Sequence, residues 1–249
     1  VDFLAEVTPK SPTQPFDITF FMADPSLTNA AGWSAVPTIS NSCGEYYQSA
    51  FNFNQTIKAM PGGTYELRVQ AFQRPGTSAD VHNSDVAGND DVTAEIYMGS
   101  ESVKMKNIMA DAQKSKQSAE DVSVGTNPVL YIPNTMLSAS TYFKKGWYDN
   151  SLLGELASDG RSLKVGIRST VSNNSYWCTF DNFRLYFYGA MSRETITDIE
   201  DVIVDKNGIV VSPQDVYTLS GVLVRKNVTS LEQLPKGFYI VGGKKVVVQ

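Results

Sequence analysis

Residues 175–189, SYWCTFDNFRLYFYG, carry an aromatic or aliphatic side chain at almost every second position, around a single Asp181–Asn182 pair. Such a stretch is either an exposed platform for a flat ligand or a strand of the core. Successive side chains of a strand point to opposite faces, so the phase of the apolar residues decides between them. Beyond the pair, Phe183, Leu185 and Phe187 share one face, and Arg184, Tyr186 and Tyr188 the other; before it, Cys178 and Phe180 are the inward residues. The apolar face therefore changes phase across Asp181–Asn182, which is what one extra residue does at a β-bulge. The stretch predicts a bulged core strand, with Asp181 left as a metal-binding or turn-fixing carboxylate.

The rest of the chain agrees in class. Short runs rich in Val, Ile, Tyr, Phe and Thr, punctuated by Gly, Pro, Asn and Asp, argue for an all-β protein. SAFNFNQTI (49–57) alternates Phe51, Phe53, Gln55 and Ile57, and PGG (61–63) turns the chain. TYELRVQAF (64–72) then sets Tyr65, Leu67, Val69 and Ala71 on one face and Glu66, Arg68, Gln70 and Phe72 on the other. Together they read as a hairpin. TAEIYMG (93–99) and LKVGIRST (163–170) read as further strands. Helical spacing occurs twice, at Met105, Ile108, Met109 and Ala112 within 102–113, and at Met136, Leu137, Ala139 and Phe143 within 134–143. Residues 73–91 have no hydrophobic period and read as a long exposed loop.

After Gly189 the aromatics thin out and charge rises, which places a boundary between residues 1–190 and a small β domain over 191–249. DVIVD (201–205), IVVS (209–212), VYTLSG (216–221), VLVRKN (222–227), FYIVGG (238–243) and KKVVVQ (244–249) are its expected strands. No fixed repeat suggests a solenoid or propeller.

The 249 residues, 42% hydrophobic, suffice for a buried core. A formal charge of −5 without any basic run argues against nucleic acid as a partner. No stretch is apolar enough to span a bilayer, and the first residues lack a signal pattern, so export implies a signal already removed. Cys43 and Cys178 form no metal-binding pair and are either buried thiols or one long-range disulfide. His82, the one histidine, lies in the polar 73–91 segment, which leaves a Ser-His-Asp or Cys-His system little support. Zinc and nucleotide-binding motifs are absent. Glycoside hydrolysis needs only two carboxylates, for which Glu45, Asp149 and Glu155 are the first candidates because aromatic residues lie near them.

Sugar recognition asks for an aromatic ring against the C–H face of the sugar and polar groups on its hydroxyl rim. GEYYQS (44–49) offers Tyr46 and Tyr47, and KKGWYDNS (144–151) offers Trp147, Tyr148 and Asp149; Arg74 supplies a charged donor nearby. Trp33 reads as core.

DPSLTNAAGWSA (24–35), 46–76, 94–112, 131–150, LKVGIRS (163–169) and YWCTFDNFRLYFYG (176–189), taken in order, resemble the galactose-binding-like jelly-roll domains of exported Bacteroidetes proteins. GTYELRVQAFQR and the closing FDNFRLYFYG are the most specific parts. The resemblance implies a jelly-roll β-sandwich with one or two short helices. It also implies a non-catalytic, carbohydrate-binding-module-like role towards a glycan or polysaccharide. In many such domains a structural calcium sits between a carboxylate near the first strand and one on the closing strand. Asp181 matches the second position; Asp24 stands nearest the first, where Leu27 replaces the usual acidic residue. Residues from about 196 to 249, with LPKGFYIV and a final basic-then-apolar strand, resemble the sorting tails of the type IX secretion system. That implies export and attachment at the cell surface, and a C-terminal β-sandwich. The rival expectations are a glycoside hydrolase and a structural or adhesion module.

Overall fold

Inward residues at a period of two along the central strands build two facing sheets. The structure is a computed structural model and describes residues 9, 14–197, 209–231, 234–241 and 244–248. Phe16–Ala190 fall in one compact unit and Met191–Gln249 in another. In the first, the strands in chain order are β1 (Phe16–Asp17), β2 (Thr38–Ser40), β3 (Cys43–Tyr47), β4 (Phe51–Met60), β5 (Gly63–Pro75), β6 (Glu95–Met98) and β7 (Glu101–Lys104). They continue with β8 (Lys106–Asn107), β9 (Val122–Val124), β10 (Leu130–Ile132), β11 (Asp149–Leu156), β12 (Arg161–Ser169) and β13 (Tyr176–Phe187). Helices α1 (Ser78–Val86) and α2 (Met136–Lys144) lie between them.

One sheet runs β11-β5-β13-β3-β2, with β1 added beside β13 and β8 beside β5; the other runs β4-β12-β6-β7. All their pairings are antiparallel except β5–β8. The core between the sheets takes Tyr65, Leu67, Val69 and Ala71 from β5 and Phe53 and Ile57 from β4. Val165 and Ile167 of β12 and Phe180, Phe183, Leu185 and Phe187 of β13 complete it. Trp33 stacks on Phe53 with centroids 4.3 Å apart, inside this core. The protein is an all-β sandwich with a few short helices and no closed barrel, as the sequence led one to expect.

The bulge is present. Asp181 pairs with Gln70 and Arg184 with Arg68, so one extra residue is held by β13 between them, and Asn182 sits at φ 53°. Asn tolerates this left-handed geometry because its short amide can hydrogen-bond locally. Its Nδ2 donates to Gln70 Oε1 at 2.9 Å. The Phe183 N–H, turned out of the ladder, donates to Pro25 O at 2.9 Å.

Three sequence expectations fail for identifiable reasons. β4 and β5 are not a hairpin: β4 pairs with β12, and β5 with β11 and β13, so PGG carries the chain from one sheet to the other. Alternation fixes which face is buried, not which strand is the partner. Gly63 suits this crossing, because a Cβ at its φ of 140° would meet Gly189 O at 2.4 Å. The expected helix over 102–113 is instead β7, β8 and a 3-10 turn at Ile108–Asp111. Its apolar residues serve two cores: Met105 lies between the sheets, while Ile108 and Met109 lie on the outer side of the larger sheet. The expected 73–91 loop contains α1, started by a capping box in which Thr77 accepts from the Asp80 N–H and Asp80 from the Thr77 N–H. Val81 is the one buried residue of that helix, so hydrophobic periodicity had nothing to detect.

The expected helix over 134–143 is α2, capped by Thr135, whose hydroxyl accepts from the Ser138 N–H. With α1 and the 105–132 segment it covers part of the outer face of the larger sheet, burying Phe72, Ile132, Tyr142, Phe143, Tyr148 and Trp177. Cys43 belongs to this outer cluster and Cys178 to the inner core; both are free thiols facing opposite sides of the sheet. Burial pushes the Cys43 thiol up to about 12.

In the C-terminal unit, α3 (Arg193–Thr197) precedes β14 (Ile209–Thr218), β15 (Leu223–Ser230), β16 (Gly237–Val241) and β17 (Lys244–Val248). They form one antiparallel sheet, ordered β15-β14-β16-β17, around Val216, Val228, Leu231, Tyr239, Val241 and Val246. Among the described residues these four strands form a single sheet. The strand expected at 201–205 lies outside the described residues. No helix among those described is long and apolar enough to cross a membrane.

Candidate functional site

Odd-numbered residues of β13 before the bulge point away from the inter-sheet core, so Trp177 stands on the outer face of the larger sheet. The ladder sets Tyr47 of β3 opposite it on one side and Arg74 of β5 on the other. Two residues along, Glu45, Thr179 and Phe72 form the next row. The loop entering α2 brings Asn134 and Thr135 alongside. Glu45, Tyr47, Arg74, Asn134, Thr135 and Trp177 line an open pocket of about 330 Å³.

Its geometry follows from packing beneath it. The Trp177 ring meets Phe72 edge-on at 5.2 Å and carries the Arg74 guanidinium 5.3 Å from its centroid. Trp177 Nε1 donates to Glu45 Oε2 at 2.7 Å, which fixes both side chains. Arg74 Nε donates to Gly76 O at 3.1 Å and Nη1 to Asn134 Oδ1 at 3.2 Å. Burial holds the Arg74 pKa below its ordinary value. Tyr47, 51% exposed, is the aromatic that remains open to solvent.

Of the residues the sequence singled out, Tyr47, Arg74 and Glu45 are brought together here. Tyr46, Trp147, Tyr148 and Asp149 are not. Tyr46 has the opposite phase on β3, so its ring turns inward and stacks on Phe51 at 4.6 Å. Tyr148 is fully buried and its hydroxyl donates to Ile108 O at 2.7 Å. Trp147 packs on Tyr142 at 5.0 Å under the Lys145 ammonium. Asp149 pairs with Arg184 and, at 3.9 Å, with Arg68. Its neighbourhood is a polar network at the other end of the same face. There the buried Glu66 accepts from Arg68 Nε at 2.7 Å and from the hydroxyls of Ser151 and Tyr188 at 2.6 Å each. Burial opposes Glu66 ionisation, and these donors outweigh it and lower its pKa.

Glu155 of β11, six residues from Asp149, pairs with Thr64 of β5, so of the three hydrolase carboxylates only Glu45 lines the pocket. Trp177, Asn134 and Thr135 escaped the sequence reading. Trp177 was legible in principle, as an outward aromatic on a strand otherwise judged by its inward face.

The two carboxylates expected to hold calcium flank the bulge. Asp24 accepts from the N–H groups of Thr28, Asn29 and Ala30 at 2.8, 2.8 and 2.6 Å. Although burial opposes it, these donors hold its pKa below the ordinary carboxylate value. Three N–H dipoles aimed at one carboxylate stabilise its charge, so Asp24 fixes the turn over residues 24–30. Asp181 accepts from the Asn182 N–H at 2.6 Å, and burial, with Asp24 adding repulsion, pushes its pKa up to about 7. Among the described residues no group of three or more His, Cys, Asp or Glu side chains is placed to hold a metal ion.

Compared with protein-family models and with curated proteins, the chain matches none.

Proposed function

We propose that the N-terminal sandwich is a non-catalytic carbohydrate-binding module whose ligand sits in the Tyr47–Arg74–Trp177 pocket. One observation carries this reading: a solvent-open tyrosine stands beside a tryptophan–arginine stack, with carboxylate, amide and hydroxyl groups around the same cavity. A sugar needs that combination, an apolar ring face for its C–H groups and hydrogen-bonding groups for its rim. The cavity's 330 Å³ falls at the small end of ligand pockets, suited to one or two sugar units. Binding of the full chain to a broad glycan array is the expected result, with calorimetry on each hit. An array empty across plant, host and microbial glycans would instead favour the adhesion reading.

Export and surface attachment, implied by the resemblance of the tail, belong to the same proposal. Intact chain should be recovered from the surface or extracellular fraction of its native cell; confinement of the tailed protein to the cytoplasm would contradict it.

A further inference from the structure

We infer that the pocket's ligand is an acidic sugar, a uronic-acid residue whose carboxylate is read by Arg74; this rests on the carbohydrate reading above. Of the five arginines of the sandwich, Arg68, Arg168 and Arg184 each have a carboxylate partner, Glu66, Glu95 and Asp149 respectively, and the exposed Arg161 donates to Ser158 Oγ at 2.9 Å. Arg74 differs in being part-buried without a carboxylate. Its protein acceptors are two uncharged oxygens, Gly76 O and Asn134 Oδ1, and no ion pair reaches it among the described residues. A guanidinium removed from much of its water normally gains a carboxylate in exchange, and its planar fork suits two parallel bonds to one. Arg74 is already oriented for that, stacked on Trp177 and held by Asn134, with most of its N–H donors left without a protein partner.

Glu45 lines the same pocket and narrows the class. β13 separates it from Arg74, since Glu45 belongs to β3 and Arg74 to β5. Two strand spacings and a two-residue offset put their backbones about 12 Å apart. Glu45 Oε2 is committed to the indole, and its other oxygen can accept sugar hydroxyls. The pocket thus offers a cation at one end and an acceptor at the other. A ring with one carboxylate and opposed hydroxyls satisfies both; a ligand charged all round would be repelled at Glu45.

Calorimetry with the full chain tests this on oligogalacturonate, oligoglucuronate and oligomannuronate, each against its carboxyl-reduced neutral counterpart. The expected result is that at least one uronate binds about tenfold or more tightly than its reduced form, an advantage that falls as salt is raised. Arg74→Gln should cost the uronate about tenfold or more affinity beyond whatever it costs the reduced form, and its melting curve should match the parent. Equal affinity for acid and reduced oligomers, or array binding confined to neutral glycans, would overturn the inference and leave the carbohydrate reading standing. Absence of any glycan binding would overturn both.

Discussion

Asn182→Val should cost the N-terminal sandwich about 1–3 kcal/mol, because a β-branched residue is strained at a φ of 53° and ironing out the bulge cannot relieve it. Were the bulge ironed out with residue 182 kept, β13 would alternate strictly, and the pairing that keeps Cys178 and Phe180 inward would turn Phe183, Leu185 and Phe187 outward. Each large apolar side chain returned to water forfeits about 1.5–3 kcal/mol. Three of them approach the whole stability of a typical domain, about 5–15 kcal/mol. Arg184 and Tyr186 would meanwhile be driven into the core, which no partner there could satisfy. Deletion separates register from local strain: without Asn182, Phe183 falls opposite Val69 and Leu185 stays opposite Leu67, so every inward residue keeps its face and the amide's bond to Gln70 is lost, at a cost of about 1–2 kcal/mol. Asn182→Gly keeps the left-handed backbone and should cost under about 1 kcal/mol. Urea unfolding followed by circular dichroism reads all three. An Asn182→Val variant as stable as the parent would mean that the bulge does not set the register.

Asp181→Asn should stabilise the protein at pH 8 by about 1–3 kcal/mol and leave it nearly unchanged at pH 4. The native carboxyl titrates near 7, mainly because of burial; the Asn182 N–H and Lys144 act against that rise and Asp24 adds to it. Its unperturbed value is 3.8. Below about pH 4 native and unfolded chains both hold the proton, and the group contributes no pH dependence. Between pH 4 and 7 the unfolded chain has released the proton while the native one retains it, so stability falls as pH rises, and above 7 the native chain carries the full cost of a buried charge. An asparagine at 181 keeps an oxygen for the Asn182 N–H and carries no charge, so the falling limb should vanish from the difference between the two proteins. Asp24 and Glu66, whose pKa values are lowered, give the opposite slope in acid and cancel in that difference. Parallel stability curves for parent and variant from pH 4 to 8 would show that Asp181 is not buried as described.

What the sequence revealed was phase. Inward and outward residues of β5 and β13, the bulge between them and the core role of Trp33 were all readable, because burial of one face imposes a period of two. Partnership was not readable. Nothing in SAFNFNQTI or TYELRVQAF says that their strands lie in different sheets, since the same alternation serves a hairpin or a crossing. The site suffered from the same limit. Tyr47 and Arg74 meet only because both flank Trp177 across β13, and the neighbouring Tyr46 is lost to the core by a single step of phase. Composition selected KKGWYDNS, but Tyr148 and Trp147 were needed to close the outer cluster over Phe72, and Asp149 was needed by two arginines. The helix at Ser78–Val86 left one usable mark, the TSAD capping box, which hydrophobic periodicity does not weigh.

The outer face of the larger sheet offers an exposed tyrosine and a half-buried one for a test of the site itself. Tyr47 borders the pocket, and Tyr186, beside Arg68 at 5.5 Å, belongs to the polar network at the far end. Titration of the strongest array hit into Tyr47→Ala and Tyr186→Ala proteins, with melting curves as the folding control, addresses the carbohydrate site most directly. Loss of about 1–3 kcal/mol of binding in Tyr47→Ala with none in Tyr186→Ala is the expected result. Unchanged binding in Tyr47→Ala, or loss confined to Tyr186→Ala, would place the ligand elsewhere and contradict the assignment.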